Sequence, residues 1–136
     1  GLNVLHGDID SGLADYRDGS FDYVILNQSL QQVLHFEPVL NASLRVGKKV
    51  IVGFPNFAHY RSRLQFFFLG RAPVTKSLPY TWYETPNIHF LSIKDFIDYC
   101  RRKDIRIEAQ RFMTHTREIT VLPNLFGQVG IFVLSK

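Results

Sequence analysis

Cysteine is nearly missing from this chain: Cys100 stands alone, so no internal disulfide can form and packing must hold the fold, as suits a reducing cytoplasm. Long apolar runs are missing as well. The longest cluster, Phe66-Phe67-Phe68-Leu69, is far shorter than the ~20 residues of a membrane-crossing helix, so no span is expected. The first residues show neither a basic stretch nor an apolar signal core, so secretion is not expected and a cytoplasmic location is. The five histidines, His6, His35, His59, His89 and His115, include no i, i+4 pair, and with a solitary cysteine no metal centre is expected. No Gly-x-Ser-x-Gly elbow and no Walker-type phosphate loop occurs, which leaves hydrolase and nucleotide-triphosphatase readings without support. The net charge of +4 invites a nucleic-acid reading, yet the cations are scattered. Arg61, Arg63, Arg71 and Lys76 flank an aromatic region. Arg101, Arg102 and Lys103 fall at the end of an expected helix, where the macrodipole favours them without a ligand.

What is present fits one domain over residues 1–136, with 46% hydrophobic residues, ordinary for a globular core. Leu2 to His6 is a short strand candidate ending in Gly7-Asp8-Ile9-Asp10. After a turn at Asp18-Gly19, Tyr23 to Leu26 runs apolar without alternation, the pattern of a strand covered on both faces, and stops on Asn27-Gln28-Ser29. Open α/β sheets bind their ligands at such carboxyl ends, so this polar rim is the first functional candidate. Phe36 to Val46 has helical spacing through Val39, Leu40 and Leu44, with Gly47 placed to end it. Val50, Ile51 and Val52 mark a second buried strand that ends at Pro55-Asn56.

A helix is expected from about Phe57 to Leu69, with Tyr60, Leu64, Phe67 and Phe68 on one stripe and Gly70 closing it. That stripe with Arg61 and Arg63 suits either a docking surface or a core helix with a basic outer side. Residues 71–91 form a long connection rich in Pro and aromatics, a length that marks a functional loop or lid. Ser92 caps the next helix, with Asp95 as its capping-box partner, and Ile93, Phe96, Ile97 and Cys100 give that helix one apolar face. Ile105 to Ile107 alternates, Val129 to Leu134 is the last apolar run, and no long helix separates them, so they read as an antiparallel hairpin. The order of elements is α/β.

These residues resemble class I S-adenosylmethionine-dependent methyltransferases and, within them, the MetW family. Gly7-Asp8-Ile9, Asp18 to Ile25 and Val50 to Asn56 are similar to the family's third, fourth and fifth strand motifs. Pro73 to Lys76, Trp82-Tyr83, Thr85 to His89, Lys94 to Phe96 and Pro123 to Phe126 resemble its signature. The resemblance implies a three-layer α/β/α Rossmann-like methyltransferase fold with a mixed sheet and a C-terminal antiparallel hairpin, lacking the first two strands. Asp8 would accept from the adenine amino group of S-adenosylmethionine, with Ile9 flanking the ring; without the family, Asp8 reads equally as a turn or cap aspartate. Asn27 and Gln28 would line the cofactor's methionine end. Pro55, Asn56, Trp82, Tyr83, Asn87 and His89 would border the substrate or partner side. For His89, a loop histidine bonded to backbone is the competing role.

Two departures from the methyltransferase pattern change the expectation. The glycine-rich loop after the first strand and the acidic residue after the second are missing, and the chain, which starts at Gly1, looks like roughly the C-terminal two-thirds of a longer protein. A βαβ unit takes about 30 residues. S-adenosylmethionine binding is therefore expected to be weak or absent, and the exposed strands are expected either to pair with each other or to join two copies. Secondly, an acid or histidine that many such enzymes carry after the fourth strand is replaced here by Leu30-Gln31-Gln32-Val33. Glutamine cannot act as a general base, and no catalytic residue can be named. The resemblance thus implies a MetW-like partner of homoserine O-acyltransferase in methionine biosynthesis, with a methyltransferase of unknown acceptor as the alternative.

Overall fold

Strand and helix periodicities set the architecture. A computed structural model describes residues 7–10 and 13–136; the expected strand at Leu2 to His6 lies outside the described residues. In order, the elements are β1 (Phe21–Asn27), α1 (Phe36–Val46), β2 (Gly47–Pro55), α2 (Tyr60–Leu64) running into a π-helix (Gln65–Leu69), α3 (Ile93–Arg102), β3 (Arg106–Met113), α4 (Pro123–Phe126) and β4 (Val129–Ser135). The sheet order is β1-β2-β4-β3, with β1 parallel to β2 and the other two pairings antiparallel. This is the expected mixed sheet with a C-terminal antiparallel pair. No helix among the described residues is long and apolar enough to cross a membrane.

Alternation places Leu26, Val50, Val52, Phe54, Phe132 and Leu134 on one face of the sheet, where they meet Val39, Leu40 and Leu44 of α1 and Ile93, Phe96 and Cys100 of α3 in a single core. Phe54 stacks on Phe132 at 5.7 Å, and Phe96 tilts against both at 5.0 and 4.9 Å. Burying each of these rings contributes roughly 1.5–3 kcal/mol. The capping box forms as expected: Ser92 Oγ accepts from the Asp95 amide at 3.1 Å, and Asp95 accepts from the Ser92 amide at 3.1 Å. Gly70 closes the π-helix in the left-handed region, φ 58°, donating to the Phe66 carbonyl. Gly47 ends α1 differently, in extended geometry as the first residue of β2, and a Cβ there would lie 2.7 Å from Val24 Cγ2.

Two expectations are corrected. β1 is covered on one face only, since Tyr23 and Ile25 are 58% and 65% exposed. Both long helices contribute to the core on the other face, and the register aligns Ile25, Ile51 and Val133 as an apolar row on the open one. The second correction concerns the core-helix alternative for the 57–69 stripe: Leu64, Phe67 and Phe68 face solvent, Phe67 at 81%. The chain switches from α2 to a π turn at Gln65, and the extra residue per turn breaks the 3.6-residue period on which the stripe rested.

Candidate functional site

The rim after β1 is built from the end of the parallel ladder. The Gln28 amide donates to the Gly53 carbonyl at 2.7 Å, and Gln28 itself adopts φ 52°, which lifts the chain off the sheet. Gln31 Nε2 donates back to the Gln28 carbonyl at 2.9 Å and closes the turn. Gln31 is buried, and its carbonyl accepts the amides of Ile88 at 2.9 Å and His89 at 3.0 Å. The far end of the long loop is therefore tied to the rim by backbone bonds. His89 Nε2 lies 3.0 Å from the Val33 carbonyl, and its ring meets Phe36 edge-on at 5.7 Å, so this histidine acts as a tether of the loop. Asn27 and Gln28 stand exposed, their amide side chains without partners among the described residues.

Asp8 makes a turn contact. Its Oδ1 accepts from the Asp10 amide at 3.0 Å, while the Asp10 carboxylate accepts from the amides of Leu34 at 3.4 Å and His35 at 3.0 Å. The Asp8–Ile9 loop is thereby pinned beside the start of α1, with Ile9 half-buried against the core and the second Asp8 oxygen without a partner among the described residues. On the other side of β2, Asn56 is fully buried. Its Nδ2 donates to the carbonyls of Asn124 at 3.0 Å and Gly127 at 2.9 Å, and its Oδ1 accepts from the amides of Ala58 at 3.1 Å and Ile93 at 3.4 Å. Asn56 thus fastens α3 and α4 to the end of β2. Pro55 is buried beside it, Trp82 and Tyr83 stand on the outer surface with Trp82 76% exposed, and Asn87 is half-buried, its amide donating to Thr85 Oγ1 at 3.2 Å. Asn27, Gln28 and His89 gather around the β1 rim and Asp8 and Ile9 lie in the loop pinned beside the start of α1, whereas Asn56 belongs to the β2 end and Trp82 and Tyr83 to none of these.

At that same end of the sheet, on the side of β3 and β4, lies a groove of about 830 Å³ that includes His59, Tyr60, Arg61, Lys76, Arg117 and Phe126 among its walls. Sequence reasoning did not find it. Its walls come from three segments far apart in the chain, and only the short spacing of Thr114, Thr116 and Arg117 hints at a built turn. His59 is buried, and that burial together with the Arg61 charge holds its pKa below the ordinary value. Cys100 is buried in the core, which pushes its thiol up to about 11 and leaves it inert as a nucleophile. No cluster of three or more potential metal ligands occurs among the described residues.

The family model described as methionine biosynthesis protein MetW matches residues 1–134. The chain belongs to the MetW family. A relative from Rhodopirellula baltica, named bifunctional methionine biosynthesis protein MetXA/MetW, is 37% identical over 113 residues, covering 82% of this chain and 18% of that protein. The chain therefore spans less than a fifth of that relative's length. Among solved structures, a SAM-dependent methyltransferase from Archaeoglobus fulgidus superposes with a TM-score of 0.66 at 13% identity, over 99% of this chain and 68% of its own. A SAM-dependent methyltransferase from Thermotoga maritima, titled a possible histamine N-methyltransferase, gives 0.64 at 18% identity, over 100% of this chain and 64% of its own. These likenesses show the Rossmann-like methyltransferase fold.

S-adenosylmethionine is the cofactor that this fold implies. Among the described residues one Asp8 oxygen and the amides of Asn27 and Gln28 have no partner, but all three residues are exposed, and the groove is lined by none of them. Cofactor sites normally enclose most of the ligand. The described residues of the rim do not by themselves enclose such a ligand.

Proposed function

We propose that this MetW-family protein serves methionine biosynthesis as a partner of homoserine O-acyltransferase, using its methyltransferase fold as a docking body. The observation that carries this is the relative in which a MetW portion and a MetXA portion share one polypeptide. Fusion holds two modules at a high effective concentration, on the order of millimolar, and is an alternative to a dedicated interface between separate chains. The surface supports the same reading, because Phe66, Phe67, Phe68, Trp82 and Tyr83 are all exposed, and aromatics are enriched at interfaces. The rim adds to it, with Gln31 engaged in structure and His89 held as a tether of the loop. A cytoplasmic location, and self-association through the open edge of β1, belong to the same proposal.

Co-purification of the full-length protein with homoserine O-acyltransferase, followed by acyltransferase assay with and without it, tests the proposal. Stable association and a raised acyltransferase rate are expected. Failure to associate, together with methyl transfer to an acceptor, would overturn it in favour of an S-adenosylmethionine-dependent methyltransferase. The fold favours that second reading, and displacement chemistry can run on orientation alone, a contribution of roughly 7–11 kcal/mol. The loop from Thr75 to His89 separates the two. Hydrogen exchange in the loop should slow on adding the acyltransferase if it docks, and on adding S-adenosylmethionine if it is a lid.

A further inference from the structure

The groove at the end of β2 concentrates uncompensated positive charge. Arg61, Lys76 and Arg117 line it, and none of them pairs with a carboxylate among the described residues. Arg61 is steered by aromatic contact: its Nε donates to the Tyr60 hydroxyl at 3.1 Å, and its guanidinium carbon lies 5.8 Å from the centre of that ring. Glu118 also lines the groove, but Arg111 Nε holds it at 3.1 Å, so its charge is already answered. The wall that carries Arg117 is fixed in advance. The Thr114 amide donates to the Arg117 carbonyl at 2.8 Å, Thr114 Oγ1 accepts from the Arg117 amide at 3.2 Å, and the His115 amide donates to Gln128 Oε1 at 3.2 Å. Thr116 and Thr120 add hydroxyls without partners among the described residues, and Tyr60 and Phe126, 6.0 Å apart, form an apolar flank. The volume, about 830 Å³, is that of a small-molecule site.

We propose that this groove binds a small polyanion, a molecule with two or more phosphate or carboxylate groups whose carbon skeleton lies against Tyr60 and Phe126. Three cations in one concave wall repel each other when the groove is empty, and a multivalent oxyanion converts that repulsion into charge-assisted hydrogen bonds. The guanidinium groups of Arg61 and Arg117 suit forked contact with an oxyanion, while Lys76 supplies a mobile point charge. The Asp8 and Asn27 rim lines no part of this site.

Calorimetric titration of the full chain with inorganic pyrophosphate and, separately, with citrate at constant ionic strength tests the proposal. Saturable binding of at least one, with Kd at or below about 1 mM, is expected; preference for pyrophosphate identifies a phosphate ligand and preference for citrate a carboxylate. Lys76→Glu and Arg117→Glu should each weaken binding by about ten-fold or more, since each reverses a charge at the anion. Lys76→Gln, the milder change, should weaken it less. Arg102→Glu, at the end of α3 that leads to the opposite end of the sheet, makes the same change in net charge and should leave affinity unaltered. Absence of saturable heat with both anions, or an equal loss in the Arg102 variant, would overturn the proposal. Circular dichroism and thermal midpoints matching wild type confirm that each variant is folded.

Discussion

A single buried amide does much of the joining at the carboxyl end of this sheet. Asn56 donates to two carbonyls and accepts from two amides, belonging to α2's approach, α3 and α4, and it has no exposure to water. Asn56→Ala should destabilise the chain by about 2 kcal/mol or more in urea unfolding, because four backbone groups lose a partner, two of them at buried contacts; a cost under about 1 kcal/mol would show that water or rearrangement replaces the amide. Asn56→Asp should be no better, since it keeps an acceptor but turns an oxygen toward the carbonyls of Asn124 and Gly127. His59 makes a different kind of contribution. Its folded pKa is depressed by burial and by Arg61, so the unfolded chain takes up the proton first as pH falls. Its contribution is intact above the unfolded value of about 6.5, is lost as pH falls through that value, and stops changing below the folded pKa. The difference in urea midpoint between wild type and His59→Gln should therefore shrink between about pH 7.5 and about pH 5.5, and a constant difference would rule the histidine out.

The elements differ in how openly the sequence announces them. α1 and α3 each bury one stripe, so Val39, Leu40 and Leu44, and Ile93, Phe96 and Cys100, carry a 3.6-residue period that survives into the structure with its boundaries. The cap of α3 is equally legible, because Ser92 and Asp95 satisfy each other locally and need no tertiary partner. Ser92→Ala should lower stability by about 1 kcal/mol while Ser92→Gly costs only a few tenths, a contrast that thermal or urea unfolding can resolve; a Ser92→Ala midpoint equal to that of wild type would mean that the hydroxyl contributes nothing as a cap. β1 is legible as a strand but not in its covering. A run such as Tyr23 to Leu26 looks the same whether its second face meets the chain's own helix or open surface, and here it meets open surface. The π turn at Gln65–Leu69 leaves no periodic mark over five residues. The charged groove is the least visible, since Arg61, Lys76 and Arg117 are brought together only by the tertiary fold. Asp8 was legible as an aspartate with two candidate roles, and the bond from the Asp10 amide is the contact a turn aspartate makes with one of its oxygens.

At the scale of the whole molecule, the open side of the sheet is the least settled part of its energetics. Tyr23 and Ile25 are mostly exposed, Ile51, Ile131 and Val133 are only half-buried on the same face, and no strand among the described residues pairs with the outer edge of β1. An apolar face beside an unpaired edge is a template for association, since covering it removes apolar surface from water at roughly 25 cal/mol per Å² and satisfies free backbone groups. The core lies on the opposite face, so a charge placed at the open one touches nothing that Val50, Phe54, Phe96 and Phe132 depend on. Ile25→Lys should therefore leave the urea midpoint near that of wild type while lowering the sedimentation coefficient at about 100 µM, a concentration at which even weak self-association is visible. Wild-type chain that sediments as a monomer across that range would show that the face is tolerated bare, whereas a variant that unfolds would show that Ile25 supports the core through β2. The first result would remove self-association from the reading of this protein and leave the partner acyltransferase as the occupant to be tested at that face.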